Sequence, residues 1–214
     1  MISSDWNEFI KLQHDIVSSR EVHPRLGLPQ PSWVGKNYSA GGILIVGINP
    51  GNGNLDNGLD LDETKVQDCL SEFKFSGSLD DYTSYVNEMH RQQVSSWARW
   101  TRFTGALLEG LELTLNDVGW LNSWKYRTLN GSEDLSISAF RPHIKRFIFN
   151  ELKVLKPQFV VTHGWWAKYA LEEFNKISTT KIRNQDIPQR GSGSARQDAI
   201  LLGQQIRAEY STNL

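Results

Sequence analysis

Cysteine is almost absent: Cys69 is the single one in 214 residues. One thiol excludes an intrachain disulfide and a cysteine-rich metal site. Cys69 also sits among Asp62, Glu63, Asp68 and Glu72, where negative neighbours discourage a thiolate, so it reads as structural. The histidines His14, His23, His90, His143 and His163 show no His-x-x-x-His spacing, and no metal or cofactor is expected. Long apolar runs are missing. Runs such as Ile43–Val46 and Phe159–Val161 fall far short of the roughly 20 residues that span a bilayer. The first residues, Met-Ile-Ser-Ser-Asp-Trp, lack a basic patch followed by an apolar stretch, so no secretory signal is expected and the cytoplasm is the expected location. Net charge is nearly absent too, at -1 from 23 Lys+Arg and 24 Asp+Glu. That excludes a polybasic protein whose bulk charge alone would bind nucleic acid.

What is present is distributed unevenly. Residues 1–120 carry 9 Lys+Arg against 16 Asp+Glu, whereas residues 121–190 carry 12 against 6. The basic segment either forms a face for an anionic partner or is neutralised by its acidic neighbour once folded. Eight tryptophans are present, as core or as stacking surfaces. A length of 214 residues suits one α/β domain with its own core.

Periodicity places the elements. Trp6, Phe9, Ile10, Ile16 and Val17 predict a helix over 5–18. Residues 23–42, rich in Pro and Gly, read as an ordered loop pinned by Trp33 and Val34. Ile43–Gly47 is a buried strand of the kind found in parallel sheets. Asn49–Gly58, rich in Gly and Asn, is a loop. Residues 54–108 read as an insertion or elaborated helical segment, with a helix near 62–72 and a long or broken one over Tyr82–Leu108. Val118–Asn122 is a second strand. An amphipathic helix over 138–155 stops at Pro157. Gln158–Thr162 is a third strand, Trp165–Phe174 a helix, Lys181–Arg183 a short last strand, Ile187–Ser194 a loop and Ala195–Tyr210 a terminal helix. This alternation predicts a three-layer α/β/α fold around a short, mostly parallel four-stranded sheet. Ligands in such sheets gather at the C-terminal strand ends. The polar exits there are Gly47–Gly53, Asn122–Arg127 and Thr162–Gly164.

Each exit has a chemical reading beside a plain one. In Gly47-Ile-Asn-Pro-Gly51, Pro50 stiffens the turn and the glycines admit close backbone approach. Asn49 is thereby held at a strand tip, where it orients a water or a ligand. An ordinary Asn-Pro-Gly turn is the plain reading. No Gly-Lys-Ser/Thr follows, so this is no phosphate-binding P-loop, and no Gly-x-Ser-x-Gly elbow is present. Asn122 offers a donor and an acceptor that can read a base edge, or it braces a loop. Lys125 and Arg127 either bind phosphate or are solvated. His163 is a site residue or a structural histidine.

Together the three exits resemble the uracil-DNA glycosylase superfamily. Ile43-Leu-Ile-Val-Gly-Ile-Asn-Pro-Gly51 is similar to its first motif, in the Gly-Ile-Asn-Pro-Gly form of the mismatch-specific uracil/thymine-DNA glycosylase branch. Val118-Gly-Trp-Leu-Asn122 resembles the strand whose terminal Asn contacts the base. Leu155-Lys-Pro-Gln-Phe-Val-Val-Thr-His-Gly164 resembles the segment before the last helices. Order and spacing agree over roughly residues 40–175. The final His-Pro-Ser motif of most branches is missing, and the loop Ile187-Pro-Gln-Arg-Gly-Ser-Gly-Ser-Ala-Arg196 faintly resembles the Pro-Ser-Ser-Ser-Ala-Arg form.

The resemblance implies a monofunctional, metal-free and cofactor-free DNA repair hydrolase. It would act as a monomer on single- or double-stranded DNA containing uracil or a mismatch. The target base would be flipped out of the stack, with Asn49 as the catalytic residue positioning water. Gly47, Ile48, Pro50, Gly51, Phe73, Phe75, Asn122 and His163 would contact the base. Gly51, where the strict uracil branch has a bulky Tyr, would leave room for a 5-substituent. Lys125, Arg127, Arg190, Ser192, Ser194 and Arg196 would contact DNA. Two other readings stay open: a base, nucleotide or damaged-DNA binder that does not cleave, and an unrelated α/β hydrolase or transferase acting on a small phosphorylated molecule.

Overall fold

The structure, a computed structural model, describes residues 8–9, 11–13, 15–16, 31–48, 103–126, 135–187 and 194–211. Its strands in chain order are β1 (Trp33–Val34), β2 (Ile43–Gly47), β3 (Gly119–Asn122), β4 (Phe159–Thr162) and β5 (Arg183–Asp186). The helices are α1 (Gly105–Leu111), α2 (Ile137–Arg146), α3 (Ile148–Leu155), α4 (Trp165–Ile177) and α5 (Ala195–Ser211). The expected helix at 62–72, and the expected helix over Tyr82–Leu108 up to residue 102, lie outside the described residues.

The sheet order is β1-β3-β2-β4-β5. The four strands β3, β2, β4 and β5 are parallel, and the two-residue β1 adds antiparallel to the β3 edge. All five residues of β2 and all four of β4 are buried, because helices cover both faces of the sheet. On one side α1 packs on α5 so closely that a Cβ at Gly110 would overlap the Ile200 carbonyl, and one at Gly203 the Leu107 carbonyl. On the other side α2 and α3 meet α4 through Phe140 against Trp166, 4.7 Å between ring centroids, and Phe149 against Phe174, 5.4 Å. This is the expected α/β/α sandwich. Among the described residues no helix is long and apolar enough to cross a membrane.

Local chemistry explains most boundaries. Ser136 caps α2 by accepting the Ala139 N–H. Lys156, in a left-handed conformation, ends α3, and Pro157 follows, a common way to leave a helix. The same turn docks on the sheet, since Gly41 N–H donates to Lys156 O at 2.9 Å. Three expectations change. Trp33–Val34, expected within a loop, pairs with β3 as β1 and makes the sheet five-stranded instead of four-stranded. The helix over 138–155 is two helices joined at Phe147. Phe147, Ile148 and Phe149 are all buried, and three consecutive residues sweep about 200° of a helix, so a bend lets all three reach apolar neighbours. The last strand lies at 183–186, displaced from 181–183. Its residues Arg-Asn-Gln-Asp form a polar edge strand held by main-chain pairing to β4, which leaves no hydrophobic pattern to read. The flanking Ile182 and Ile187 are the buried residues instead.

Candidate functional site

Parallel pairing brings the expected exits together. Gly47 of β2 is the register partner of Asn122 of β3, and Val46 that of Thr162 of β4. Beyond the strands, the backbone hydrogen bonds continue. Ser123 N–H donates to Gly47 O at 2.9 Å, Trp124 N–H to Ile48 O at 2.8 Å, and His163 N–H to Val46 O at 2.9 Å. The Ser123 hydroxyl adds a second bond to Ile48 O, at 3.0 Å. The β2 tip is therefore tied to the β3 exit through Gly47 and Ile48, and to the β4 exit through Val46. Asn49, Pro50 and Gly51 themselves lie outside the described residues, as do Phe73, Phe75, Arg127, Arg190 and Ser192.

Gly47 has a steric reason to be glycine. A Cβ there would lie 2.6 Å from Asn122 Oδ1 and 3.6 Å from the Trp120 ring. The Asn122 amide is thus held over the bare backbone of the β2 tip. It is partly buried, and it has no hydrogen-bond partner among the described residues. An amide offers both a donor and an acceptor, and since this one is partly exposed, solvent or a ligand can take them up.

His163 faces the same side. Its ring lies 5.7 Å from that of Trp120, and its Nε2 is 3.5 Å from Thr104 Oγ1. Burial pushes its pKa down to about 4, against a smaller upward pull from Asp186. At neutral pH the imidazole is uncharged and offers one donor and one acceptor. Asp186, at the tip of β5, accepts from the Thr162 hydroxyl and pairs with Lys168 at 3.4 Å. Gly47, Asn122, Trp120, His163 and Thr104 thus form one cluster at the C-terminal edge of the sheet, where α/β folds place their ligands. Trp120 was legible in principle, since it alternates with Asn122 on one face of β3. Thr104 carried no such signal.

Lys125 corrects the sequence reading. It is not a phosphate contact at the surface: it is fully buried. Its ammonium donates to both Glu151 oxygens, at 3.0 and 2.8 Å, and to Ser32 Oγ at 2.5 Å. Gln13 completes the cluster, donating to Glu151 at 2.7 Å and accepting the Ser32 N–H at 2.7 Å. Burial pulls the Lys125 pKa down, and Glu151 opposes that pull. Next to it, His143 Nε2 accepts the Lys125 N–H at 3.1 Å. Burial, with the charges of Lys125 and Arg146, pushes His143 down to about 3. The cluster ties the N-terminal segment, the β3 exit and α3 together. Glu151 did leave a trace in the sequence, since it falls inside the Ile148, Leu152 and Leu155 stripe of an amphipathic helix.

The two remaining described DNA candidates open α5. The Ser194 hydroxyl donates to Asp198 at 2.9 Å, and Arg196 pairs with Glu109. Tyr210 OH donates to Gly41 O at 3.1 Å, pinning the far end of α5 to the N-terminal edge of the sheet. The start of α5 therefore lies toward the C-terminal edge, on the α1 side. Among the described residues no group of His, Cys, Asp and Glu could hold a metal ion.

No protein-family model matches the chain, and no curated protein sequence matches it.

Proposed function

We propose that the chain is a base-excision DNA glycosylase that hydrolyses the N-glycosidic bond of uracil or a related base. One observation carries the reading. Gly47-Ile48, where the Gly-Ile-Asn-Pro-Gly segment begins, is tied to the β3 exit beside the Asn122 amide and a neutral His163. A flipped base entering this edge would meet backbone N–H groups at the β2 tip and a donor-acceptor pair on Asn122. Asn49 would orient the attacking water. An amide cannot act as a strong base, so cleavage would rely on leaving-group polarisation by these donors, and turnover would be modest.

A specific observation favours a second reading, binding of a base or nucleotide without cleavage. Lys125 is spent on Glu151, and Arg196 is paired with Glu109, which removes one expected backbone contact and engages another.

Labelled oligonucleotides carrying uracil (single-stranded, U·G and U·A), T·G, hypoxanthine or ethenocytosine, followed by alkali, test the proposal. Cleavage of any of them, lost in Asn49→Ala, is the expected result. Silence on all of them from a folded protein that still binds a base or nucleotide would replace it with the second reading.

A further inference from the structure

Two residues beyond His163, the chain presents a feature that the site above does not use. Trp165 is the first residue of α4, and its side chain is 55 % exposed. One turn on, Tyr169 stacks against it with ring centroids 5.1 Å apart and planes at 22°. Trp166 meets Trp165 edge-on at 4.7 Å and 80°, and packs on Phe140 of the core. Arg141 of α2 donates from Nε to the Tyr169 hydroxyl at 2.6 Å. The exposed indole is thus not a loose apolar side chain. It is backed by one ring, braced by a second, and joined through Tyr169 to a cation.

The surroundings indicate what would sit on it. The two helices that carry the stack hold Arg141, Lys145, Arg146, Lys168 and Lys176 against Glu172 and Glu173; Glu173 engages Lys176 and Arg141, and Lys168 pairs with Asp186, which leaves the surface with a cationic excess. They belong to the basic segment, residues 121–190. A rigid aromatic face in a cationic frame suits a nucleobase attached to a phosphate backbone, because every base has a π-face and every linkage a negative charge.

The geometry points to a base-stacking shelf: Trp165, backed by Tyr169 and framed by Arg141, takes the face of an unpaired base in a single strand that crosses the C-terminal edge of the sheet. The inference rests on the nucleic-acid reading above and deepens it, naming the strand state and a contact outside the pocket. In a duplex the base faces are covered by their neighbours, so the shelf favours single-stranded or locally opened substrate.

The test is fluorescence anisotropy of labelled oligo-dT20 with the full chain and with Trp165→Ala and Trp165→Phe, alongside the excision assay. Oligo-rU20 in parallel distinguishes DNA from RNA as the strand, and circular dichroism confirms that each variant is folded. Stacking of one base predicts about 5- to 160-fold weaker binding for Trp165→Ala, with most of the affinity restored in Trp165→Phe. Duplex binding should change much less. Equal affinity of Trp165→Ala and the native chain overturns the shelf, as does failure of the native chain to bind either strand. Reduced self-association of Trp165→Ala with unchanged strand affinity would also overturn it, assigning the surface to a second copy of the chain. Trp165-dependent binding without excision of any base would leave the shelf standing and remove the glycosylase. Excision with Trp165-independent binding would do the reverse.

Discussion

Asn122 and Lys125 leave the same strand three residues apart, and they end in opposite circumstances. Lys125 turns into the α3 side, where Glu151 and Ser32 use its hydrogen-bonding capacity. Asn122 stays on the α1 side, over a bare glycine, with no partner among the described residues. Both are polar groups at the exit of β3, Lys125 fully buried and Asn122 partly exposed. The difference lies in satisfaction. A polar group whose every bond is met by protein is part of the architecture, whereas one held in place and left unmet is prepared for something that arrives.

The comparison can be broken by mutation. Glu151→Ala should have the largest effect, because it strands a buried ammonium. A loss of about 3–5 kcal/mol is expected from urea unfolding, and the double variant Lys125→Met/Glu151→Leu should recover most of it, since a well-packed apolar pair replaces the ions at little net cost. If Glu151→Ala unfolds at the native midpoint, the cluster is not structural. Gly110→Ala comes next. Its Cβ would meet the backbone of Ile200, which cannot rotate away, so overpacking should cost about 1–3 kcal/mol. Gly47→Ala meets only the movable end of Asn122. It should therefore spare stability and cost ligand binding.

Acid should weaken the fold in a defined window. His143 and His163 are held neutral, with pKa values near 3 and 4 against about 6.5 in the unfolded chain. Below pH 6.5 the unfolded state takes up protons that the native state does not. Stability is thus complete above 6.5 and falls as the pH drops toward 4, by about 1.4 kcal/mol per pH unit for each histidine that stays neutral. Unfolding midpoints measured between pH 7 and 5 should show this slope, and His143→Gln should shrink it. A flat profile in that range would mean that His143 protonates within the fold. The smallest effect on stability belongs to Asn122→Ala, within about 0.5 kcal/mol, since it breaks no protein hydrogen bond. A loss of ligand binding or excision without a shift in melting temperature would sharpen the contrast with Lys125. A large shift in melting would erase it.

The residue pattern was informative where hydrophobic burial or turn chemistry dominates. β2 was read with its observed bounds because five consecutive apolar or glycine residues between turn formers suit only a doubly covered strand. Pro157 marked the end of α3, and the three exits were read as converging, which the registers of β2, β3 and β4 bear out. The misreadings share a cause. β5 is polar because an edge strand lives on main-chain pairing. The bend at Phe147 answers three-dimensional packing that a one-dimensional period does not contain. Lys125 looks like any surface lysine, because its partners come from 93 and 26 residues away.

By itself, then, the sequence determined the layer architecture, the order of the strands along the chain and the edge where polar residues gather. Those follow from local rules: burial periodicity, glycine and proline at turns, and the handedness of parallel connections. The tertiary structure alone decided which polar residues are spent and which remain available. It paired Lys125 with Glu151, left the Asn122 amide unmatched over Gly47, lowered His163 by burial and set Trp165 on Tyr169. A hydrogen bond or a desolvation cost depends on what stands opposite a group in space, and spacing along the chain does not carry that information.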